Sequence, residues 1–204
     1  MKQTLIQRAV LGCAFALAAT GAEAVMLLTD AGGRLTGATG VDVLGASYNV
    51  AFRDTTCLAA FGSCDTGTVF AFPSQTESRA AALALMSQVI TGIYDSQPNQ
   101  VLGCDEPSYC LFLLPYRVSL NAANQLQVHN TLAGNHYVES SDSVPPVGTD
   151  YVVNPDTDLS VGNALFTYAV WSSADVPDDG VVPEPGALAL MGLGLGALRL
   201  GRRR

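Results

Sequence analysis

Positive charge is scarce between the two ends of this sequence. The 204 residues include one lysine, Lys2, and the span from Val25 to Val182 carries only four arginines against 16 acidic residues, a formal charge of −12. So acidic a surface repels nucleic acid and anionic lipid. The composition therefore excludes nucleic-acid binding and favours a soluble or cation-binding domain in an external medium. The four arginines are Arg34, Arg53, Arg79 and Arg117.

Groups that could act as a base at neutral pH are also scarce. The chain has two histidines, His129 and His136, and no G-x-S-x-G motif or free reactive cysteine accompanies them. Together with Glu139 they could bind a metal across a turn, but their seven-residue spacing puts the histidines on opposite faces of a continuous strand. The sequence therefore predicts a protein with no catalytic residue, no cofactor and no bound metal.

The first 24 residues have the three parts of a secretory signal peptide. A basic start with Lys2 and Arg8 leads into the apolar run 9–19, and the segment closes with the A-x-A pattern of residues 22–24. This order predicts export through the Sec translocon and cleavage by signal peptidase before Val25. An uncleaved membrane anchor is the alternative, and the polar residues that precede the A-x-A end argue against it.

The last 23 residues also have three parts. Two prolines in the Pro-Glu-Pro segment fix their φ angles and lack amide donors, which predicts an extended stretch that a processing enzyme can bind. The apolar run 186–198 is short for a stable membrane span, and the arginines that follow predict a cytoplasmic end. The processing segment and the basic stop comprise Val182, Pro183, Glu184, Pro185, Arg199, Arg202, Arg203 and Arg204.

This arrangement resembles the PEP-CTERM sorting signal of Gram-negative bacteria over residues 182–204. The resemblance implies transient insertion in the inner membrane and cleavage near Pro-Glu-Pro by exosortase, an integral-membrane enzyme similar to transpeptidases. It also implies a protein secreted or held at the cell surface, with a role in exopolysaccharide or biofilm. Arg199 departs from the pattern because it interrupts the apolar run. An unprocessed C-terminal anchor is the alternative, although so short a tail would hold the protein poorly.

Four cysteines remain between the two terminal signals. An even number in an exported chain predicts disulfides. We favour local pairing of Cys57 with Cys64 and of Cys104 with Cys110, because each bond would close a short polar loop. A zinc site made of all four thiolates is the alternative, but the spacings are wider than those usual in zinc sites and the compartment is oxidising.

The sequence predicts a signal peptide at 1–24, one extracytoplasmic domain at 25–181 and the sorting tail at 182–204. The domain is predicted to be α+β, with a mainly antiparallel sheet and one packed amphipathic helix. A capping box of Ser74 and Glu77 starts the helix, which runs to about Tyr94. Its predicted core face holds Leu83, Met86, Val89, Ile90 and Ile93. The predicted strands are 41–44, 47–52, 68–72, 111–114, 116–120, 125–128, 136–138 and 164–171.

Acidic residues between 142 and 158 raise the question of calcium. The alternating oxygen ligands of a calcium loop begin at Asn154, but Leu159 and Leu165 occupy the positions that an EF-hand gives to Gly and Glu. A solvated acidic loop is the favoured interpretation and a weaker calcium site is the alternative. The residues concerned are Asp142, Asp150, Asn154, Asp156 and Asp158.

Two functions fit these observations. The first is a structural or adhesive protein of the exopolysaccharide matrix, and the second is a secreted hydrolase that acts on matrix polysaccharide. A pair of catalytic carboxylates is defined by distance in space and leaves no spacing in the chain. Aromatic faces pack on sugar rings, and the candidates for this contact are Tyr151, Phe166, Tyr168 and Trp171.

Overall fold

Seven strands form one sheet in the computed structural model of this chain, which describes residues 24–162 and 164–174. The spatial order is β1-β2-β3-β7-β4-β5-β6, and all neighbours are antiparallel except β4 and β7. The domain is thus mixed α+β with a mainly antiparallel sheet, as predicted. The strands are β1 (Met26–Thr29), β2 (Leu35–Val43), β3 (Ala46–Arg53), β4 (Tyr109–Leu120), β5 (Leu126–His136), β6 (Tyr151–Val153) and β7 (Phe166–Ser173).

The helical segments are short and lie between β3 and β4 for the most part. They are the helices α1 (Cys57–Phe61), α2 (Gln75–Ala84) and α3 (Ile93–Ser96), the π-helical turn Leu85–Val89, and the 3₁₀ turns Gly67–Val69, Pro98–Gln100 and Glu139–Ser141. The last of these turns follows β5.

The predicted hairpin is present as β2 and β3. Leu44 and Gly45 connect the strands, and both have positive φ angles, 56° and 85°. Such angles in a two-residue turn match the right-handed twist of the flanking strands. The Asp42 carboxylate accepts a hydrogen bond from the Gly45 N–H at 2.8 Å. The hairpin is longer than predicted, since β2 already begins at Leu35.

One predicted strand, 68–72, is wrong. The chain there forms a 3₁₀ turn and then irregular backbone. Phe70 and Phe72 are both buried, but Phe70 packs in the cluster around Cys57 and Phe72 in the cluster beneath α2. The segment therefore contributes one phenylalanine to each core, on the two sides of the sheet. This division between the cores, rather than a strand, explains the alternation of apolar residues in the sequence.

The strands before and after this region differ in extent from the prediction. β4 is continuous where two strands were predicted, because a bulge between Pro115 and Arg117 keeps it paired with β5. β5 likewise runs unbroken to His136, and the predicted strand 136–138 does not form. β1 and β6, which lie at the two edges of the sheet, were not predicted.

The single predicted helix is divided. Ser74 caps α2 as predicted, and its hydroxyl accepts a hydrogen bond from the Glu77 N–H at 3.3 Å. The helix ends in the π-helical turn at Val89, and Gly92, with φ of 61°, separates it from α3. A positive φ of this kind cannot continue a right-handed helix.

The predicted core face of the helix is wrong in part. Val89 and Ile90 are buried, whereas Leu83 is 44% exposed and Ile93 is 52% exposed. Small side chains supply much of the actual contact with the sheet, and this allows a close approach. The buried residues of α2 and its π-helical turn are Ser78, Ala81, Ala82, Ala84, Leu85 and Val89.

Both faces of the sheet are covered. One face packs against α2, with Phe52 and Phe112 in contact at 5.2 Å between ring centroids. The other face packs against α1 and the loop that contains Leu159, with Tyr168 at its centre. Tyr151 and Val152 of edge strand β6 are both exposed, and the candidate sites lie at this edge of the sheet.

Candidate functional site

Consecutive side chains at the start of β6 contact opposite faces of the sheet. Asp150 contacts the face of β4 and β5 that α2 covers, whereas Tyr151 contacts Phe166 on the other face. This separation follows from the alternation of side chains along an extended chain. Two distinct candidate sites therefore lie at one edge of the sheet.

The first site is a groove beside β6, with a cavity volume of about 250 Å³. We call it the β6 groove. Buried Leu113 and Leu159 are among its lining residues, and β6 forms one side. The full lining consists of Leu113, Tyr151, Val152, Val153, Asn154, Thr157, Leu159 and Phe166.

Two of the four aromatic candidates lie in this groove. The rings of Tyr151 and Phe166 stack with 5.3 Å between centroids and 24° between planes, and Tyr151 is 36% exposed. Tyr168 and Trp171 do not reach the groove surface, since they are 0% and 8% exposed and belong to the two cores. Their proposed contact with sugar is wrong because the sheet buries them.

Polar groups lie next to the stacked rings. The Asn154 side-chain oxygen accepts from the Asp156 N–H at 2.9 Å, which orients the amide. The Asn154 amide nitrogen and the Thr157 hydroxyl are further polar groups of residues that line the groove. β6 is also the last strand of the sheet. The groove thus combines apolar rings with hydrogen-bonding groups.

The second site is centred on Asp150. Its Oδ2 lies 3.0 Å from His129 Nδ1, and His129 Nε2 lies 2.7 Å from the Ser119 hydroxyl. The other carboxylate oxygen accepts from the Tyr116 hydroxyl and, at 2.9 Å, from the Gln75 amide. We call these five residues the Asp150 cluster. They join β4, β5, the start of α2 and the segment before β6.

Electrostatics in this cluster favour an ionised Asp150. The hydrogen bond from Tyr116 is the main cause that lowers the pKa of the Asp150 carboxyl, with contributions from His129 and Arg117 against the opposing effect of burial. Burial and the bond to Asp150 raise the pKa of the Tyr116 hydroxyl. At neutral pH the pair is therefore a carboxylate and a neutral phenol.

The sequence did not reveal these partners of His129. His129 and His136 do lie in one continuous strand, so they occupy opposite faces as their spacing predicts. His136 stacks on Tyr109 at 5.3 Å between ring centroids. The hairpin register could have placed Ser119 near His129, but the contact with Asp150 depends on how a distant segment packs.

The acidic residues between 142 and 158 do not gather. Asp142 accepts from the His136 N–H at 2.7 Å, and Asp158 accepts from the Ser160 N–H at 3.1 Å in a local turn. Within residues 24–162 and 164–174, no group of three or more His, Cys, Asp or Glu side chains is placed to hold a metal ion.

Two disulfides close short loops on the domain. One joins Cys57 to Cys64 and the other joins Cys104 to Cys110. This is the local pairing that the sequence favoured. The first bond fixes α1 against the sheet, because Cys57 and Cys64 are both buried in the cluster that contains Tyr168.

The predicted terminal signals, residues 1–24 and 182–204, lie outside the described residues apart from Ala24. In the part of the chain that the structure does describe, no helix has the length and apolarity needed to cross a bilayer. Val25 packs against the core beneath α2, and β1 begins at the next residue. Cleavage before Val25 would therefore leave β1 intact.

Comparison with known proteins identifies the tail. The family model described as the PEP-CTERM protein-sorting motif matches residues 181–204. The chain therefore carries this sorting motif, as predicted, and is an exosortase-targeted protein that is exported to the cell surface or the medium. No curated protein and no solved structure matches the chain. The motif covers the tail only, so the role of the folded domain has to be inferred from its own residues.

Proposed function

We propose that this protein is a structural or adhesive component of the extracellular matrix, and that its domain binds polysaccharide through the β6 groove. The observation that carries the proposal is the stacked pair of Tyr151 and Phe166 in a groove that is also lined by the polar residues Asn154 and Thr157. Binding at this groove involves no turnover. The proposal joins the location that the sorting motif gives with an aromatic pair that lines a groove.

A sugar ring has the two surfaces that this groove can bind. Its C–H face packs on an aromatic ring, and its hydroxyl groups form hydrogen bonds around the rim. The Tyr151 ring is partly exposed on one side and supported by Phe166 on the other. The Asn154 amide and the Thr157 hydroxyl can then bond to sugar hydroxyls.

Negative charge beside the groove favours a neutral sugar as its ligand. Asp156 is exposed between Asn154 and Thr157 of the groove lining, and Asp158 follows in the same segment. An anionic sugar such as a uronic acid would be repelled by these carboxylates. We therefore assign neutral hexose units of a polysaccharide to the β6 groove.

The route to the matrix is part of the proposal. The Sec translocon exports the chain, signal peptidase removes residues 1–24, and the apolar run 186–198 holds the protein briefly in the inner membrane. Exosortase then acts near Pro183 and Pro185. The basic N-terminal start, the A-x-A end and the arginine cluster support these steps.

The test compares binding of the mature exported protein to the exopolysaccharide of the producing cell, to a neutral glucan and to a polyuronate. We expect Tyr151→Ala to weaken binding to the neutral polymers by about tenfold, the loss typical of an exposed aromatic contact. Tyr151→Phe should keep most of the affinity. Tyr137→Ala is the matched control, because Tyr137 is 62% exposed and is not one of the residues that line the groove.

Two results would contradict the proposal. One is wild-type protein that binds none of these polymers, and the other is equal binding by wild type and Tyr151→Ala. Reducing ends released from the polysaccharide during incubation would instead favour the alternative, a hydrolase that acts on matrix polysaccharide.

A further inference from the structure

Ser119 and His129 lie on the paired strands β4 and β5 and face each other. Arg117 pairs with His129 and Ser119 pairs with Gln127, so Ser119 and His129 are diagonal neighbours in the ladder. The distance of 2.7 Å between Ser119 Oγ and His129 Nε2 is that of a nucleophile hydrogen-bonded to its general base.

Asp150 orients the imidazole on its other side. Its carboxylate lies 3.0 Å from His129 Nδ1, and in the tautomer that carries its proton on Nδ1, Asp150 accepts that hydrogen bond and Nε2 accepts from the Ser119 hydroxyl. Tyr116 and Gln75 both donate to Asp150 Oδ1, which leaves Oδ2 directed at the histidine. The carboxylate is thus held by groups from two other elements.

The cluster is accessible from solvent. The His129 side chain is 12% exposed and that of Asp150 is 28% exposed, while Ser119 is partly buried. Arg117, 56% exposed, lies 3.3 Å from His129 Nδ1 and 3.7 Å from Asp150 Oδ2. Its guanidinium group places a positive charge at the edge of the cluster.

We propose that Ser119, His129 and Asp150 form a Ser–His–Asp site that hydrolyses small carboxylic esters. Ser119 Oγ attacks the carbonyl carbon while His129 Nε2 takes the hydroxyl proton. The tetrahedral intermediate then expels the alcohol, which receives that proton from His129. Water, deprotonated by the same nitrogen, then attacks the acyl-serine; the bond to Ser119 Oγ breaks, His129 returns the proton to Ser119, and the carboxylic acid is released.

Esters are the substrate class because their alkoxide leaving group departs more easily than the amine of an amide. Arg117 is the cationic group that we assign to the developing oxyanion. Ser119 and His129 are catalytic residues in this scheme, and Asp150 is a positioning residue. The site lies on the opposite face from the β6 groove, so it is independent of the proposed polysaccharide binding.

The test uses the mature exported protein, a fluorophosphonate probe and 4-nitrophenyl acetate. We expect the probe to label Ser119, identified by peptide mass spectrometry, and Ser119→Ala to abolish labelling and lower ester hydrolysis by at least about 100-fold. His129→Gln should reduce labelling to a similar extent. Ser96→Ala is the matched control, because the Ser96 hydroxyl bonds only to carbonyls of its own helical turn.

The positioning role of Asp150 is tested by measuring kcat and KM separately for variants at this residue. Asp150→Asn should lower kcat with little change in KM, and Asp150→Glu should restore part of kcat, which a merely structural role would not produce. Circular dichroism checks that each variant is folded. Folded wild type that is not labelled, labelling at another residue, or Ser119→Ala with unchanged hydrolysis would each overturn the proposal. The serine variant loses a single hydrogen bond, so its result stands even where an Asp150 variant unfolds.

Discussion

Asp142 lies close to a second carboxyl group, that of Asp95, beside the end of the helical region. Burial raises the pKa of Asp142 and the Asp95 carboxyl raises it further, although the hydrogen bond from the His136 N–H opposes this. Because the folded pKa is raised, the stability from Asp142 is fully present below its unfolded pKa and is lost as pH rises through the folded value.

Replacement of Asp142 by Asn should therefore stabilise the domain at neutral pH. The amide keeps an oxygen for the His136 N–H, gains a donor toward Asp95 and cannot ionise. We expect a small rise of Tm at pH 7, by about 1–2 °C, because solvent screens the repulsion between two partly exposed carboxyls and leaves roughly 0.5 kcal/mol. Thermal unfolding at pH 3 and pH 7 measures the effect, which should be smaller at pH 3.

The exposed residue Asp156 provides the control for loss of one negative charge from so acidic a domain. If Asp156→Asn and Asp142→Asn raise Tm equally, the carboxyl pair is not the cause. A lower Tm for Asp142→Asn at pH 7 would also contradict the argument.

Single residues differ in how well the sequence predicts their partners. Cys57 and Cys64 pair as favoured, because seven residues of chain keep them close in any fold. His129 and Asp150 are 21 residues apart and meet only when β6 joins the sheet. A local pattern therefore predicts a local bond, whereas the Asp150 cluster required the tertiary structure.

At the level of elements, the start of α2 was predictable and its end was not. The capping box at Ser74 is a local hydrogen-bond pattern, so the sequence contains all of it. The end depends on Gly92 and on a π-helical turn that forms where the helix packs on the sheet. Likewise, β1 and β6 are short edge strands whose existence depends on the neighbours with which they pair.

The disulfide between Cys57 and Cys64 should stabilise the domain by holding the loop that contains α1. Replacing both cysteines by Ala removes the constraint on the unfolded loop, and we expect the free energy of unfolding to fall by about 2–3 kcal/mol. Urea denaturation of wild type and the double variant measures this. The Cys104/Cys110 double variant, which keeps the Cys57–Cys64 bond at α1, provides the comparison.

Limited proteolysis shows which part of the domain is destabilised when the Cys57–Cys64 bond is removed. Cleavage near α1 should increase in the Cys57/Cys64 variant and not in the Cys104/Cys110 variant. Equal stability of wild type and the Cys57/Cys64 variant would mean that packing around α1 suffices without the bond.

For the whole molecule, sorting should depend on the Pro-Glu-Pro segment. Replacing Pro183 and Pro185 by Ala restores two amide donors and backbone freedom, which weakens recognition of an extended site. We expect the variant to accumulate uncut in the inner membrane. Cell fractionation and the mass of the recovered protein measure both the location and the cleavage.

Pro177→Ala is the matched control, since it changes a proline outside the motif. Release of the double variant with the wild-type mature mass would show that exosortase does not depend on these two prolines for recognition. Loss of sorting in Pro177→Ala would mean that sequence before the motif is also required.

The position of β7 has a mechanical consequence for a protein sorted by its C-terminal tail. β7 is the last described strand, yet it lies inside the sheet, bonded to β3 on one side and to β4 on the other. A pull along the end of β7 shears both rows of hydrogen bonds at once, whereas a pull on edge strand β1 can peel its bonds singly. A domain held through β7 should therefore resist tension such as that of flowing medium.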